Sequence, residues 1–462
     1  VEDGARGVTR EAAAGNRTVD AVAVVGGGWA GCAAAVTLAE AGRRVVLFEQ
    51  AATLGGRARR VTVDGLDLDN GQHMLIGAYR QTLGLLRTVH GTTWAESLFA
   101  RLPLTLAPFG AAAGRGRVAL RARRLPEPLH LAAGIALARG LSWRDRLALA
   151  AGFHRLARTG FRCPPDQTVA ACFADMPPAV IADVWSPLCL AALNTPPARA
   201  SAQVFANVLR EAFASGAAAS EFLVPAVDLS ALFPDAAARH LVGRGGELRL
   251  RTSVRAVRGD GSGVSISTDR GVERFAAAVV AVGPHQLAAT LGCGSEVLAW
   301  SPVLASVAAF DYESITTAYL AYPTAVALPA PIARLDDAPG HWVFDRSPAL
   351  APGALGDARA LLAVVISAGG AHDALPRAEL VARVDAQLRR LEPALPKPTW
   401  SRVIAERRAT YACVPRLARP AAGRVAPRIH LAGDYTMADL PPTLEAATRS
   451  GVAAAQGLLR LD

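Results

Sequence analysis

The fold is decided by Ala21-Val22-Ala23-Val24-Val25-Gly26-Gly27-Gly28-Trp29-Ala30-Gly31. Five apolar residues in a row read as a buried parallel strand. The glycines that follow have GxGxxG spacing. Gly26 permits a tight turn, and Gly28 lets backbone approach a pyrophosphate. Gly31, with the small Cys32, Ala33 and Ala34, lets a helix pack closely on the sheet. That helix is expected from Cys32 to Ala41, ended by Gly42. Trp29 and Ala30 before it, and the helix N-terminus itself, are expected to face the phosphates. A second strand, Val45-Val46-Leu47-Phe48, stops at Glu49-Gln50. Glu49 follows Gly26 by 23 residues, placed to accept hydrogen bonds from an adenosine ribose, and an acid there disfavours an extra 2′-phosphate. Strand, glycines, helix, strand and acid in this order predict a dinucleotide-binding α/β domain.

Composition bounds what surrounds this unit. The chain has 462 residues, 52% of them hydrophobic, enough for two or three domain-sized units and too apolar for disorder to dominate. Lys and Arg number 49 against 39 Asp and Glu, a net charge of +10. Residues 101–162 hold 12 arginines and two acids, Glu127 and Asp145, which is the whole excess. A uniformly basic nucleic-acid coat is therefore not expected, and no nucleic-acid partner is assigned. The six cysteines (32, 163, 172, 189, 293, 413) show no CxxC spacing, so neither a disulfide framework nor a metal site is expected. Residues 1–19 are polar and mixed in charge, as in a flexible tail without a signal-peptide pattern. Two uncharged stretches, 275–295 and 315–333, are broken by Pro284 and by Pro323, Pro329 and Pro331, so neither reads as a membrane span.

Leu54-Gly55-Gly56-Arg57 follows the second strand and resembles the LGGR of the amine-oxidase and phytoene-desaturase flavoprotein superfamily. Ile429-His430-Leu431-Ala432-Gly433-Asp434 resembles that superfamily's second flavin motif. The resemblance implies a Rossmann-like FAD-binding domain of the amine-oxidase/glutathione-reductase type, with an inserted α+β substrate domain and non-covalent FAD. It implies a helix from about Pro441-Pro442, through Thr443-Leu444-Glu445, towards Leu461, with its N-terminus at the flavin. Ala446-Ala447 stands where many relatives carry Gly-Ala. Val254 matches the position whose backbone meets the adenine. Glu247–Leu250, Ser253–Val257, Val264–Ser267 and a buried run Ala278–Val282 ending at Gly283-Pro284 read as further strands. The FAD domain is accordingly expected from 20–95, 236–300 and 425–462, and the substrate domain from 96–235 and 301–424.

Interior strings narrow the resemblance. Asp69-Asn70-Gly71-Gln72-His73, the run from Trp185 to Pro197, Ser201–Phe205, Val227–Pro234, Ile315–Tyr319 and His341–Arg346 look like the hydroxysqualene dehydroxylase family. This implies reductive loss of the hydroxyl of hydroxysqualene, giving squalene and water. The hydride comes from reduced FAD, which an external reductant renews, and the substrate lies in an apolar tunnel. Gly71, Gln72 and His73 are then expected beside the flavin, with Gln72 and His73 contacting it or polarising the hydroxyl. The competing reading makes His73 a structural histidine. Glu445 is an acid candidate, against the reading of a first-turn acid that favours its helix dipole. Asn194-Thr195-Pro196-Pro197, Trp342 and Phe344 are candidate tunnel residues. Alternatives are a carotenoid or phytoene desaturase-type enzyme and a non-catalytic prenyl-binding escort. An amine oxidase is disfavoured because the only lysine, Lys397, lies between two prolines.

The basic window returns here. Ser142-Trp143-Arg144-Asp145 resembles a helix start with a capping box. Leu149, Phe153 and Leu156 follow at helical spacing with arginines around them. Residues 115–158 are expected to meet an anionic membrane surface, placing the protein in the cytoplasm, peripherally on the inner face of the cell membrane.

Overall fold

The computed structural model describes residues 18–91, 98–110, 117–292, 297–336, 339–349 and 353–460. The expected tail falls outside these, except Thr18 and Val19, which already belong to the first strand.

That strand, Thr18–Val25, sits at the centre of a sheet. Val45–Phe48 runs parallel on one side, with Glu247–Arg249 beyond it. On the other side lies Gly271–Val280, also parallel, with Val25 opposite Val280. The first half of Gly271–Val280 turns into an antiparallel meander with Val264–Thr268 and Val254–Gly259. Its second half pairs with Ile429–Leu431, so strands from three distant pieces of chain meet in one sheet. Alternation explains the apolar run of the opening motif. Val22 and Val24 pack under the helices Trp29–Glu40 and Leu444–Leu459. Ala21, Ala23 and Val25 face the larger apolar cluster on the other side.

Two helix starts differ from the sequence expectation. The first helix begins at Trp29, not Cys32, because Gly28 is its extended N-cap and Gly28 O accepts from Cys32 N at 2.9 Å. The last begins at Leu444. Thr443 Oγ1 accepts from Ala446 N at 3.2 Å, and this side-chain cap sets the start beyond both prolines.

A second sheet is antiparallel, in the order Ile332–Arg334, Trp342–Asp345, Ala360–Ser367, Tyr312–Tyr322, Trp400–Tyr411. The helix Arg377–Leu391 covers one face through Leu380, Val384 and Leu388. The other face, with Tyr319, Trp342 and Phe344, joins a helical layer built on Trp185, which stacks on Phe173 with centroids 4.1 Å apart. One expected boundary moves. Leu229, Leu232 and Phe233, assigned to the substrate domain, pack in the helix-side core of the dinucleotide sheet. Phe233 lies 5.1 Å from the Trp29 ring, and Leu229 N donates to Asp69 Oδ1 at 2.8 Å. Among the described residues no helix is long and apolar enough to cross a membrane, and no cluster of His, Cys, Asp and Glu is arranged to hold a metal.

Candidate functional site

A cleft of about 600 Å³ opens at the carboxyl ends of the parallel strands, where Val25, Phe48 and Ala281 form its floor. Ligands of open α/β sheets bind at such a place. Gly26, Gly28, Trp29 and Ala30 line it beside Gly55, Gly56 and Arg57. The two glycine loops are joined by Gly55 N donating to Gly27 O at 2.8 Å, and a Cβ on Gly56 would lie 3.2 Å from Gly28 Cα. This is a cradle that side chains would fill. Gly31 is not on the wall. A Cβ there would lie 1.8 Å from Gly26 O, so Gly31 acts by letting the helix seat on the turn.

At the end of the second strand Glu49, 9% exposed, accepts from Gly27 N on Oε2 and from Ala51 N on Oε1, both at 2.7 Å. It makes no ion pair among the described residues, and its remaining lone pairs serve the cleft beside Gln50 and Val254. Arg57 donates to Asp434 Oδ2 at 2.6 Å, across 377 residues, and to Ala409 O at 2.7 Å. That ion pair fastens the Leu54–Arg57 loop to the C-terminal motif. Gly433, Asp434, Thr443 and Leu444 close the far end of the cleft, with Gly283 nearby. Glycine cradle, cation, helix start and ribose-type carboxylate together fit a dinucleotide.

The loop after Asp69 is pinned to this wall. Asn70 Nδ2 donates to Arg57 O and Glu406 Oε2, both at 3.1 Å. His73 reaches the cleft, and its Nδ1 lies 2.9 Å from Gly71 O. A carbonyl can only accept, so Nδ1 carries the proton and Nε2 is left as an acceptor. Burial, with Arg57 nearby, lowers the His73 pKa, so the ring is neutral near pH 7. A neutral His73 can hold a hydroxyl by accepting from it; it is not an acid.

Four candidates are placed elsewhere. Gln72 Nε2 donates to Tyr319 Oη at 2.6 Å, and Tyr319 Oη donates to Asp69 O at 2.8 Å. Gln72 thus braces the loop against the second sheet, and neither it nor Gly71 lines the cleft. Glu445 is 1% exposed and turned away. Its carboxylate accepts from Gln81 N, Thr82 N, Thr82 Oγ1 and Arg449 Nε, at 2.7–3.0 Å. It caps the neighbouring helix Arg80–His90 and does not line the cleft. Asn194 ends the helix Ser186–Leu193 in a left-handed conformation. It bonds Ser314 O, Thr410 Oγ1 and Ala368 N, joining helix to sheet rather than shaping a tunnel.

Sequence reading missed His285, Gln286, Arg407 and Arg408, which also line the cleft. The Gly283-Pro284 strand end signalled the first pair. The charged triplet Glu406-Arg407-Arg408 inside a strand signalled the second.

Asp69, 3% exposed, has its pKa pushed up to about 6, chiefly by burial, against the pull of Arg346 at 3.4 Å. A raised carboxyl pKa adds stability that is complete below the unfolded value and is lost as pH rises through the folded one. The stability of the protein relative to its Asp69→Asn variant should therefore fall by about 3 kcal/mol between about pH 4 and pH 7. Denaturant melts of both proteins across that range check this, and parallel curves would refute it.

A model of the family described as flavin containing amine oxidoreductase matches residues 29–459. Similar proteins named hydroxysqualene dehydroxylase come from Rhodopseudomonas palustris and Zymomonas mobilis. The first is 28% identical, covering 95% of this chain and 98% of the relative; the second is 26% identical, covering 94% and 97%. A carotenoid phi-ring synthase from Streptomyces griseus is 27% identical over 95% of this chain and 87% of its own. An oxidoreductase from Methanosarcina mazei shares the fold, with TM-score 0.68 at 15% identity over 93% of this chain and 98% of that one. With its glycine cradle and matched motifs, this chain belongs to the flavin-containing amine oxidoreductase family and is an FAD-dependent oxidoreductase.

Proposed function

We propose that the enzyme removes the hydroxyl of hydroxysqualene reductively, giving squalene and water, within squalene and hopanoid biosynthesis. The observation that carries this reading is similarity along about 95% of the chain to relatives bearing that name. The interior strings around Asp69–His73, Trp185–Pro197 and His341–Arg346 support it.

In this reading Glu49 holds the adenosine ribose, with Gln50 and Val254 at the adenine end. Backbone at Gly26, Gly28, Trp29 and Ala30, with Gly56 and Arg57, holds the diphosphate. Gly283, Gly433-Asp434 and Thr443-Leu444 hold the flavin end. Reduced FAD held there supplies the hydride that replaces the hydroxyl. His73 Nε2 accepts from the substrate hydroxyl and orients it. Its neutral ring leaves protonation of the leaving oxygen to another donor. The apolar cluster that reaches Trp342 and Phe344 keeps the site dry and takes the hydrocarbon. An external reductant renews FAD, as the sequence carries one dinucleotide fingerprint. A substrate this apolar resides in a bilayer, so the enzyme works peripherally at the cytoplasmic face of the cell membrane. The second reading is a carotenoid-type prenyl-lipid flavoenzyme, favoured by the relative from Streptomyces griseus.

Anaerobic incubation of the reduced protein with hydroxysqualene, with phytoene as control, separates the two. Squalene with stoichiometric flavin reoxidation is expected. Reaction with phytoene alone would sink the first reading. His73→Ala should keep FAD while slowing single-turnover reoxidation roughly tenfold to a hundredfold, the loss of one hydrogen bond to the reacting group. An unchanged rate removes His73 from the mechanism.

A further inference from the structure

Seven large apolar side chains stand exposed among the described residues, and five belong to one short stretch: Leu125, Leu129, Leu137, Trp143 and Leu147. Trp143 is 70% and Leu147 68% exposed. The stretch folds as two packed helices, Leu129–Ala136 and Trp143–Arg158. Arg146 ties them by donating to Ala136 O and Ala138 O, both at 2.7 Å. Ile135, Leu149 and Leu156 point inward. The outward faces are not the polar faces of an ordinary surface helix pair. On the first helix the outer positions are Leu129, Ala132 and Ala136; on the second they include Trp143, Leu147 and Ala150.

The charge around this face is mostly positive. Arg121, Arg123, Arg124, Arg139, Arg144 and Arg158 are exposed, and none of them forms an ion pair among the described residues. The two acids of the stretch are held in hydrogen bonds. Asp145 closes the capping box with Ser142, and Glu127 Oε2 accepts from Gly216 N at 2.6 Å. A second copy of the chain on this face would set arginine against arginine. An anionic bilayer offers both an apolar interior and the opposite charge.

We propose that this face is the membrane dock of the enzyme. Trp143, Leu147, Leu129 and Leu137 enter the acyl boundary of an anionic bilayer, and the arginines hold its headgroups. It rests on the lipid-substrate reading above for its purpose, though not for its binding. Leu149 and Leu156 beneath it belong to the apolar cluster that also holds Trp342 and the cleft residues Val25 and Phe48. Apolar packing is thus continuous from the dock to the cleft.

Co-sedimentation of the full-length flavoprotein with two vesicle types tests this: phosphatidylcholine alone, and phosphatidylcholine mixed with phosphatidylglycerol. The protein should follow only the second, and added salt should release it. Trp143→Ser with Leu147→Ser should weaken partition roughly tenfold to a hundredfold. Arg123→Gln with Arg124→Gln should weaken it about fivefold per arginine. All four positions are exposed, so flavin content and melting temperature should not change. Equal binding to both vesicles, or binding untouched by the variants, overturns the dock. So does a dimer that Trp143→Ser disperses in a protein that binds no vesicle. Sedimentation uses no substrate, so a wild type that fails to convert detergent-dispersed hydroxysqualene overturns the reaction alone. Variants that convert it normally yet leave the vesicles support the dock.

Discussion

Gly31→Ala is expected to yield no soluble, yellow protein. The added Cβ would lie 1.8 Å from Gly26 O and 3.0 Å from Gly26 C, which are backbone atoms of the turn that Gly31 packs against. Neither side can give. The first strand is bonded on both edges, with Val25 between Phe48 and Val280. The helix Trp29–Glu40 is wedged against the C-terminal helix, where Gly451 meets Ala30 O closely enough to exclude a Cβ as well. Relief requires lifting the helix from the sheet, which uncovers Val22, Val24 and the small residues above them. The expected cost exceeds about 4 kcal/mol, at the extreme for one substitution. Gly84→Ala is the control. Gly84 lies exposed in the helix Arg80–His90 with nothing near its Cβ position, so alanine there should stabilise by about 0.5–1 kcal/mol. Soluble yield, flavin absorbance and melting temperature of the two variants check the contrast. A Gly31→Ala protein that melts like the parent would show that the close packing is not needed.

The contrast shows what a sequence can carry. The dinucleotide half was legible because its determinants are local: glycines at fixed offsets, small residues where a helix must sit close, an acid at a strand end. Polar residues were harder. Gln72, Asn194 and Glu445 were read as site candidates from their neighbourhood in sequence. Their partners lie 247, 174 and 364 residues away, and a residue's type does not name its partner. Arg407 and Arg408 escaped because their strand belongs to the inserted sheet, and only the meeting of two sheets brings its end to the cleft. The exposed apolar face between Leu125 and Leu147 was half legible. Charge counting located it, but helical periodicity does not say which stripe faces in. Burial separates Leu149 and Leu156 from Trp143 and Leu147.

Glu49→Arg is expected to give a folded protein without FAD, and Glu49→Gln one that binds it weakly. The wild-type carboxylate satisfies two backbone donors, Gly27 N and Ala51 N, and still offers lone pairs to a ribose diol. Gln keeps one acceptor oxygen and turns the other position into a donor. One backbone N–H then loses its partner, and so does one ribose hydroxyl. Hydrogen bonds to a charged group are worth about 1.5–3 kcal/mol, so affinity should fall roughly tenfold to a hundredfold in Glu49→Gln. Arg removes both acceptors and places a cation at a position 9% exposed, with no acid assigned to it. The ribose hydroxyls then meet only donors. A buried unpaired charge costs several kcal/mol, more than an adenosine end can return, so retention should be lost. The visible-to-ultraviolet absorbance ratio after gel filtration reads flavin content, and circular dichroism confirms the fold. A yellow Glu49→Arg protein would place the ribose elsewhere; a yellow Glu49→Gln protein with parental affinity would show that Glu49 serves only the turn.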